Sequence, residues 1–314
     1  MTHASYSKLS KFDAPVLDVI CIGRSSVDLY GQQTGGKLED MASFAKYIGG
    51  SPTNIGVGAA RLGLKSAVIT RVGNEHMGRF ILQQLIAEKV NVSGVVTDPN
   101  RLTALVLLGI RDSEQFPLIF VREDCADMAL SRDEISPAFI SSAKAITVTG
   151  THFSTKQVAD ASFYAIECAK AAGRKVSFDI DYRPNLWALG GHADGEARFA
   201  QSVEVTTHLQ TIIPHCDLIV GTEEEWHIVG GMTDTLEALK VARALSDAVL
   251  VCKRGAMGCV VFDAPIEGWE SGISAPVQEI EVFNVLGAGD GFMAGFLRGW
   301  LREETWEVCA RYAN

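Results

Sequence analysis

The sequence lacks the features of a secreted or membrane-bound protein. No C-x-x-C pair occurs among its seven cysteines, and several lie inside apolar runs, such as Cys21 in Val19-Ile20-Cys21-Ile22. This placement is typical of buried free thiols in a reducing compartment. No signal peptide and no apolar run of membrane-spanning length are present. We therefore expect a soluble, cytoplasmic protein.

Positive charge is also scarce. With 28 lysines and arginines against 38 aspartates and glutamates, the formal net charge is −10. This balance argues against nucleic acid and anionic membranes as partners, because both favour basic surfaces. The seven histidines show no metal-ligand spacing, and no G-x-x-x-x-G-K-[S/T] loop occurs. Any phosphate site must therefore be local, built from backbone N–H groups and a few lysines or arginines.

The chain is large enough for one α/β domain. It has 314 residues, of which 47% are hydrophobic, and no repeat, low-complexity tract or interdomain linker divides it. Apolar, strand-like runs cover 16–22, 67–72, 145–149, 176–180, 218–220 and 248–252, and helical patterns cover 52–62, 78–90, 155–172, 223–229 and 235–246. This alternation predicts a mostly parallel sheet with helices on both faces, which binds ligands at the carboxyl ends of its strands.

Two segments interrupt the alternation. Residues 29–47 are rich in glycine and glutamine and show no helical pattern. Residues 102–121 hold two strand-like runs, 104–110 and 117–121, separated by a polar stretch, which is typical of a β-hairpin. We expect the two segments to form a small β lid over the cleft. The alternative is that they add edge strands to the main sheet.

A short motif near the end of the sequence points to phosphate chemistry. An apolar run is followed by Gly287-Ala288-Gly289-Asp290 and then by apolar residues at helical spacing, from Phe292 to Leu301. Small residues at a helix N-terminus leave N–H groups uncovered and so favour an anion. Asp290 could take a proton from an alcohol that attacks a phosphate there. Alternatively, the motif is an ordinary turn, and Asp290 only complements the helix dipole.

A second glycine motif opens a helix earlier in the sequence. Gly49 and Gly50 permit a tight turn, and we expect Ser51 to be the N-cap and Pro52 the first helical residue. Asn54 is a poor helix former whose amide could reach the cleft. Capping alone is the alternative explanation of this segment.

These two segments resemble the paired signatures of the ribokinase, or PfkB, family of carbohydrate kinases. The first signature is similar to residues 49–63 and the second to residues 287–290, and the resemblance covers nearly the whole chain. It implies a single ribokinase-like three-layer α/β/α domain over residues 1–314, with a mostly parallel sheet and a β lid, and an enzyme that uses ATP and Mg²⁺. The implied roles are catalytic base for Asp290, anion hole for Gly287, Ala288 and Gly289, and sugar-hydroxyl binding for Asp28, Gly50 and Asn54.

On the nucleotide side, the chain departs from the family's motifs. Thr222-Glu223-Glu224-Glu225 is similar to an Asn-x-x-Glu motif associated with magnesium and phosphate, with Thr222 in place of asparagine. The resemblance implies that Glu225 acts on the metal through water. Glu223 and Glu224 are alternatively only a solvated helix start.

The next strand end is similar to the family's nucleotide loop. Lys253 stands where threonine is usual, Gly255 and Gly258 would let the backbone approach the nucleotide, and Lys253 or Arg254 could meet a phosphate. A plain turn between two strands is the alternative.

Two departures concern the last part of the chain. In the lead-in to the second signature, Asn284 lacks the negative charge of the family's usual aspartate, so an indirect role of that residue near the metal is in doubt. Members of the family also continue past the position of Asn314 with a helix and a strand that wall the adenine pocket. We therefore expect Asn314 to border the nucleotide site and part of that wall to be missing from this sequence.

Within the family, the chain is most similar to a subgroup that acts on a sugar acid in inositol catabolism. Asp181 and Arg183 follow a strand end and should face the cleft, in a segment similar to the Asp-x-Asn-x-Arg run of sugar-acid kinases. A guanidinium fork suits a substrate carboxylate. Arg122, just past the hairpin, is a second candidate for this role. Either arginine could instead form a surface ion pair.

The resemblance thus implies phosphorylation of the primary hydroxyl of a sugar acid. A kinase of another sugar acid or of fructose is the alternative within the family. In a different class, the chain could be a catalytically dead sugar- or nucleotide-binding regulator, although the presence of Asp290 argues against that. Lid strands often pair between subunits in this family, so a homodimer is also expected.

Overall fold

The computed structural model describes residues 15–112, 115–191, 199–275, 277 and 285–314. The strands are β1 (Leu17–Ile22), β2 (Ser26–Gly31), β3 (Phe44–Gly49), β4 (Ser66–Gly73), β5 (Asn91–Asp98), β6 (Ala104–Leu108), β7 (Leu118–Val121), β8 (Ala143–Thr149), β9 (Lys175–Asp179), β10 (Leu218–Thr222), β11 (Val249–Lys253), β12 (Cys259–Phe262) and β13 (Ile273–Ala275). The helices are α1 (Ser51–Arg61), α2 (His76–Ala87), α3 (Pro137–Ser141), α4 (Lys156–Ala171), α5 (Val203–Ile212), α6 (Glu223–Gly230), α7 (Thr235–Leu245), α8 (Ala288–Trp300) and α9 (Trp306–Ala313).

The main sheet is mostly parallel. Its strand order is β13-β12-β11-β10-β9-β8-β1-β4-β5. All neighbours from β5 to β11 pair in parallel, and β12 and β13 add an antiparallel edge. The α/β fold predicted from the alternating pattern is therefore confirmed, and the carboxyl ends of the parallel strands lie at one edge of the sheet.

Helices cover both faces of this sheet. On one face, alternate strand residues such as Ile20 and Ile146 are buried together with side chains of α3 to α7. On the other face, Val19 and Val220 pack with α1, α8 and α9. Because both faces are buried, the central strands are continuous apolar runs, which is why they were predictable. Strand β5 was not predicted, since it lies at the edge and most of its side chains are only half-buried.

A second sheet contains strands from both of the interrupting segments. Its order is β3-β2-β6-β7, with β2 and β6 parallel and the outer pairs antiparallel. The predicted hairpin is thus present as β6 and β7, in a separate sheet rather than at the edge of the main one. The second sheet begins at Ser26, three residues before the predicted lid segment. We call it the lid sheet; its action as a lid and as a dimer interface stay predictions.

The lid sheet has a small apolar core of its own. Val106, Leu108 and Leu118 are buried there, and Leu286 packs against them. Leu286 directly precedes the Gly287–Asp290 motif. The lid sheet is therefore in contact with the segment that leads into α8.

All seven cysteines are free, and six of them are buried, as their apolar surroundings predicted. Within the described ranges, no helix combines the length and apolar character needed to cross a bilayer.

Close packing of α8 against α9 gives a testable prediction. A Cβ placed on Gly295 would lie 2.7 Å from the carbonyl carbon of Tyr312, whereas one placed on Gly291 would meet nothing within 4 Å. We expect Gly295→Ala to lower the free energy of unfolding by about 1–3 kcal/mol through overpacking. Gly291→Ala in the same helix should be neutral or stabilise by roughly 0.5–1 kcal/mol. Urea unfolding of both variants measures this, and equal stabilities would contradict the close contact.

Candidate active site

The predicted site residues gather at the carboxyl edge of the main sheet. Loops that follow β1, β8, β9, β10 and β11 meet there with the N-termini of α1 and α8. This is the position at which parallel sheets bind their ligands.

Helix α8 starts as the glycine motif predicted. Gly287 is its N-cap and has a left-handed backbone (φ 74°), which favours glycine. The N–H of Ala288 donates to the carbonyl of Val285, and helical bonding begins with Gly291 to Gly287. Ala288 therefore uses its N–H to close the turn, which weakens its predicted part in an anion hole. The N–H groups of Gly289 and Asp290 precede the first helical bond and suit an anion.

Asp290 lies in the first turn of α8 beside α1. Its Oδ2 accepts a hydrogen bond from Asn54 Nδ2 at 2.9 Å. Withdrawal from water raises the pKa of Asp290 to about 7, and the charge of Asp181 adds to this, while Asn54 and nearby cations oppose it. A carboxyl group with this pKa can exchange a proton at neutral pH.

Two cavities meet at Asp290. The larger, about 960 Å³, lies between the lid sheet and α1 and is lined by Tyr30 and Asn54, among others. The smaller, about 380 Å³, is lined on the other side by Arg183 and Lys253. Asp290 and Gly287 line both. A hydroxyl in the first cavity and an anion in the second would therefore both be next to the Asp290 carboxyl.

Asp181 ties several loops of the site together. Its Oδ2 accepts hydrogen bonds from Ser51 Oγ (2.6 Å), Thr151 Oγ1 (2.9 Å) and Arg24 Nη2 (3.2 Å). Its Oδ1 lies 3.6 Å from Nη2 of Arg183. Burial would raise the pKa of Asp181, but the two arginines and the hydroxyl donors outweigh it and lower that pKa below its ordinary value. Asp181 is therefore held as a buried anion.

The contact with Ser51 corrects one expectation. The N-cap of α1 is Gly50, with φ 93°, and Ser51 is the first helical residue. Ser51 uses its hydroxyl to bind Asp181 from a distant loop, so it does not cap its own helix. Gly50 packs on the backbone of Arg24: a Cβ there would lie 2.8 Å from the Arg24 carbonyl carbon.

Asp28 and Arg122 lie on the lid side. Asp28 is in β2, and its Oδ1 accepts a hydrogen bond from Ser26 Oγ at 2.9 Å. Burial raises the pKa of Asp28, and Ser26 and the charges of Arg122 and Arg24 oppose the rise. Arg122 is therefore near enough to Asp28 for their charges to interact.

The predicted ion pair of Arg122 exists but is buried. Arg122 is 9% exposed, and its Nη2 binds Asp127 Oδ2, which also accepts the N–H of Ser25 at 3.1 Å. Its Nε and Nη1 are buried without a hydrogen-bond partner among the described residues. Such donors are costly to leave unpaired. Two donor nitrogens of Arg122 thus lack a protein partner in the described structure, although Arg122 lines neither cavity.

The nucleotide-side residues Thr222, Glu225 and Lys253 form one cluster with Asp179, in which Asp179 and Glu225 are buried and the other two are half-buried. Thr222 caps α6, and its N–H donates to Glu225 Oε2 at 2.8 Å. Lys253 Nζ lies 3.4 Å from Asp179 Oδ1 and 3.7 Å from Glu225 Oε2. The cluster lines the smaller cavity.

The remaining nucleotide-side candidates lie outside both cavities. Arg254 Nε forms an ion pair with Glu223 Oε1 at 3.2 Å, and its guanidinium carbon lies 3.9 Å from the centroid of the Trp269 ring. Gly255 and Gly258 are in the turn between β11 and β12. Beside this turn, Asn314 Nδ2 donates a hydrogen bond to the carbonyl oxygen of Ala275 at 3.0 Å. The predicted departure at Asn284 lies outside the described residues.

Three polar residues of the cleft carried no prediction: Arg24, Thr151 and Asp179. Each lies at the carboxyl end of a predicted strand or two residues beyond it. This is the signal that pointed to Asp181 and Arg183, so strand ends alone could have indicated them.

Known proteins are similar to this chain over nearly its whole length. The family model described as pfkB family carbohydrate kinase matches residues 16–314. The 5-dehydro-2-deoxygluconokinase of Shouchella clausii is 31% identical over 300 residues, which cover 95% of this chain and 87% of that protein. The protein of the same name from Geobacillus thermodenitrificans is 32% identical over 289 residues, with 90% and 81% covered.

Solved structures share the fold. A PfkB protein from Polaromonas has a TM-score of 0.80 at 27% identity, covering 95% of this chain and 93% of its own. A putative Ribokinase II from E. coli, in complex with ATP and Mg²⁺, has a TM-score of 0.83 at 19% identity, covering 95% and 91%.

The site predicts how Asp290 titrates. Carbon-13 NMR of its carboxyl group should give a pKa near 7, so that the group is mainly protonated below this pH and ionised above it. Asp181→Asn removes a nearby negative charge and should lower the pKa of Asp290. Ser51→Ala keeps that charge and should change the Asp290 pKa much less. An Asp290 that titrates near 4 in the unmodified protein would contradict the geometry.

Proposed function

The chain belongs to the pfkB family of carbohydrate kinases, and we propose that it transfers the terminal phosphoryl group of ATP to the primary hydroxyl of 5-dehydro-2-deoxygluconate, in inositol catabolism. The name of the relatives supports this substrate, since the chain spans more than four-fifths of each at about 30% identity. The observation that carries the proposal is Asp290 at the junction of two cavities, in the first turn of α8. We propose that residues 1–314 act as one kinase domain.

In this proposal, Asp290 is the catalytic base. A sugar hydroxyl in the lid-side cavity would give its proton to the Asp290 carboxylate while its oxygen attacks phosphorus. Asn54 holds that carboxylate at 2.9 Å and so orients it. A base is most effective when its pKa lies near the working pH, and the raised pKa of Asp290, about 7, meets this condition. Asp28 and Gly50 would line the sugar site.

In this proposal, the phosphate end of ATP occupies the smaller cavity. Its phosphates would meet the N–H groups at the start of α8 and the ammonium of Lys253, which line this cavity. Arg254, Gly255, Gly258 and Asn314 would lie further along the nucleotide. These positive and dipolar groups supply most of what phosphoryl transfer requires, namely position and charge stabilisation.

The magnesium ion would be held mainly by the nucleotide. In the described ranges, no three His, Cys, Asp or Glu side chains are arranged to hold a metal ion. Both carboxylate oxygens of Glu225 accept backbone N–H groups, from Thr222 and Tyr182. Glu225 would therefore contact the ion only through water. The bound ion would neutralise phosphate charge.

The arginines support a sugar acid rather than a neutral sugar. Arg122 is buried, with two donors that lack a partner in the described structure, and Arg183 borders the smaller cavity. A substrate carboxylate would complete the hydrogen bonding of Arg122, and Arg183 is the second candidate. A neutral substrate such as fructose could accept these hydrogen bonds through its hydroxyl oxygens, but it would bring no negative charge to Arg122.

The first test removes the base. Asp290→Asn keeps the shape of the side chain but cannot accept the proton, so turnover should fall by about 10²–10⁴-fold while sugar binding is largely kept. Steady-state kinetics with ATP, Mg²⁺ and 5-dehydro-2-deoxygluconate, together with calorimetric sugar binding, measure both effects. Asp160→Asn, at an exposed ion pair on α4, should leave turnover unchanged. Near wild-type turnover of Asp290→Asn would reject the assignment.

The second test concerns substrate choice. Arg122→Lys keeps a charge beside Asp127 but loses the guanidinium fork, and Arg183→Leu removes the second candidate. The variant that has lost the carboxylate contact should lose roughly ten- to a hundred-fold in kcat/KM toward the acid, because a hydrogen bond to a charged group contributes about 1.5–3 kcal/mol. Fructose, assayed in parallel, should lose much less.

Two comparisons keep this test decisive. Arg132→Leu, at an exposed ion pair, should leave kcat/KM unchanged for both substrates. If kcat/KM for the acid and for fructose fall by the same factor in both Arg122→Lys and Arg183→Leu, neither arginine recognises a carboxylate. The proposal of a sugar-acid substrate would then be rejected.

A further inference from the structure

Lys253 stands out among the charged groups of the cleft. It ends β11, where the family usually has threonine, and its side chain is only 12% exposed. Burial lowers the pKa of Lys253, but the charges of Asp179 and Glu225 more than reverse this effect and raise that pKa above its ordinary value. The side chain is therefore a largely buried ammonium ion paired with two carboxylates.

The two carboxylates hold Lys253 only loosely. Its Nζ lies 3.4 Å from Asp179 and 3.7 Å from Glu225, whereas charge-assisted N–H···O bonds are usually about 2.7–2.9 Å long. Glu225 also directs both of its oxygens to backbone N–H groups. The ammonium has three N–H donors, so these contacts fix its position without using its full hydrogen-bonding capacity.

Lys253 also faces the start of α8. A Cβ placed on Gly289 would lie 3.6 Å from Lys253 Nζ, and this ammonium is the only group outside the neighbouring residues within 4 Å of it in the described structure. The ammonium and the N-terminus of α8 therefore border the same small space. Asp290 lines that space as well.

We propose that Lys253 is a further catalytic residue, which binds the phosphoryl group as it passes from ATP to the sugar. The inference rests on the proposed function. In the step, the sugar oxygen forms a bond to the terminal phosphorus, the bond from that phosphorus to the bridging oxygen of ADP breaks, and the hydroxyl proton goes to Asp290. Lys253 keeps its own proton and donates hydrogen bonds to the phosphoryl oxygens.

This arrangement gives the two acidic neighbours a positioning role. Asp179 and Glu225 keep the ammonium charged and directed at Gly289. Charge that is already in place when the reaction begins stabilises the transition state without reorganisation. The competing explanation is structural: Lys253 only neutralises two buried carboxylates.

Nucleotide binding distinguishes the two roles without relying on turnover. Calorimetry should measure the affinity of the non-hydrolysable analogue adenosine 5′-(β,γ-imido)triphosphate and of ADP, each with Mg²⁺. For Lys253→Met, we expect the analogue to bind roughly ten- to a hundred-fold more weakly, as loss of a charge-assisted contact implies, and ADP less than about threefold more weakly.

A double variant controls for the structural role. Lys253→Met leaves Asp179 without its counter-charge, which should lower the melting temperature. Adding Asp179→Asn removes that unpaired charge and should restore the melting temperature, but not the preference for the triphosphate analogue. Lys253→Arg, which keeps a cation, should retain part of the preference.

The results for Lys253 can be distinguished from a failure of the proposed kinase function. Parallel weakening of the analogue and ADP, or recovery of the triphosphate preference in the double variant, would show that Lys253 is only structural, provided that the unmodified protein phosphorylates the sugar. An unmodified protein that binds neither nucleotide would instead overturn the proposed function, and the inference with it.

Discussion

The buried carboxylate of Asp181 is the constraint on which the cleft depends. A charge removed from water must be paired and hydrogen-bonded, or it is strongly destabilising. Asp181 meets this requirement by gathering donors from the β1 loop (Arg24), the β8 loop (Thr151) and the start of α1 (Ser51). The position of α1 then fixes Asn54, and Asn54 fixes Asp290. The proposed base Asp290 is thus positioned by the hydrogen bonds that satisfy Asp181. Asp181 and Asp290 themselves share no hydrogen bond in the described structure.

Two aspartates of this cleft titrate in opposite directions because their surroundings differ. Asp181 has two arginines and two hydroxyl donors, which lower its pKa despite burial. Asp290 has one amide donor, and the charge of Asp181 raises its pKa further. The first carboxylate is thus a permanent anion that organises the loops, and the second can exchange a proton near neutrality. A divergence of this kind between neighbouring carboxyl groups is how a site assigns separate roles to the same chemical group.

Much of the fold was predictable because its signals are local. Central parallel strands are apolar on both faces, so their runs in the sequence are continuous; edge strand β5, half-buried, gave no such signal. The turn at Gly287 was equally readable, since its glycine meets a left-handed backbone. Ser51 shows where this reasoning fails. Its local pattern predicts a cap, yet its partner Asp181 lies 130 positions away. Pairings over such separations depend on which strand ends become neighbours, and that is decided by the order of the whole sheet.

The contact of Leu286 with the core of the lid sheet has a mechanical consequence. Leu286 packs on Val106, Leu108 and Leu118 and is joined through one peptide bond to Gly287. A swing of the lid sheet away from the main sheet must either break this apolar contact or pull on the turn at Gly287. If the lid sheet closes over a sugar as proposed, its closure would be coupled through Leu286 to the geometry of the turn at Gly287. If the lid sheet acts as the predicted lid, an open lid would leave the turn without its apolar support, and phosphoryl transfer to water would be disfavoured.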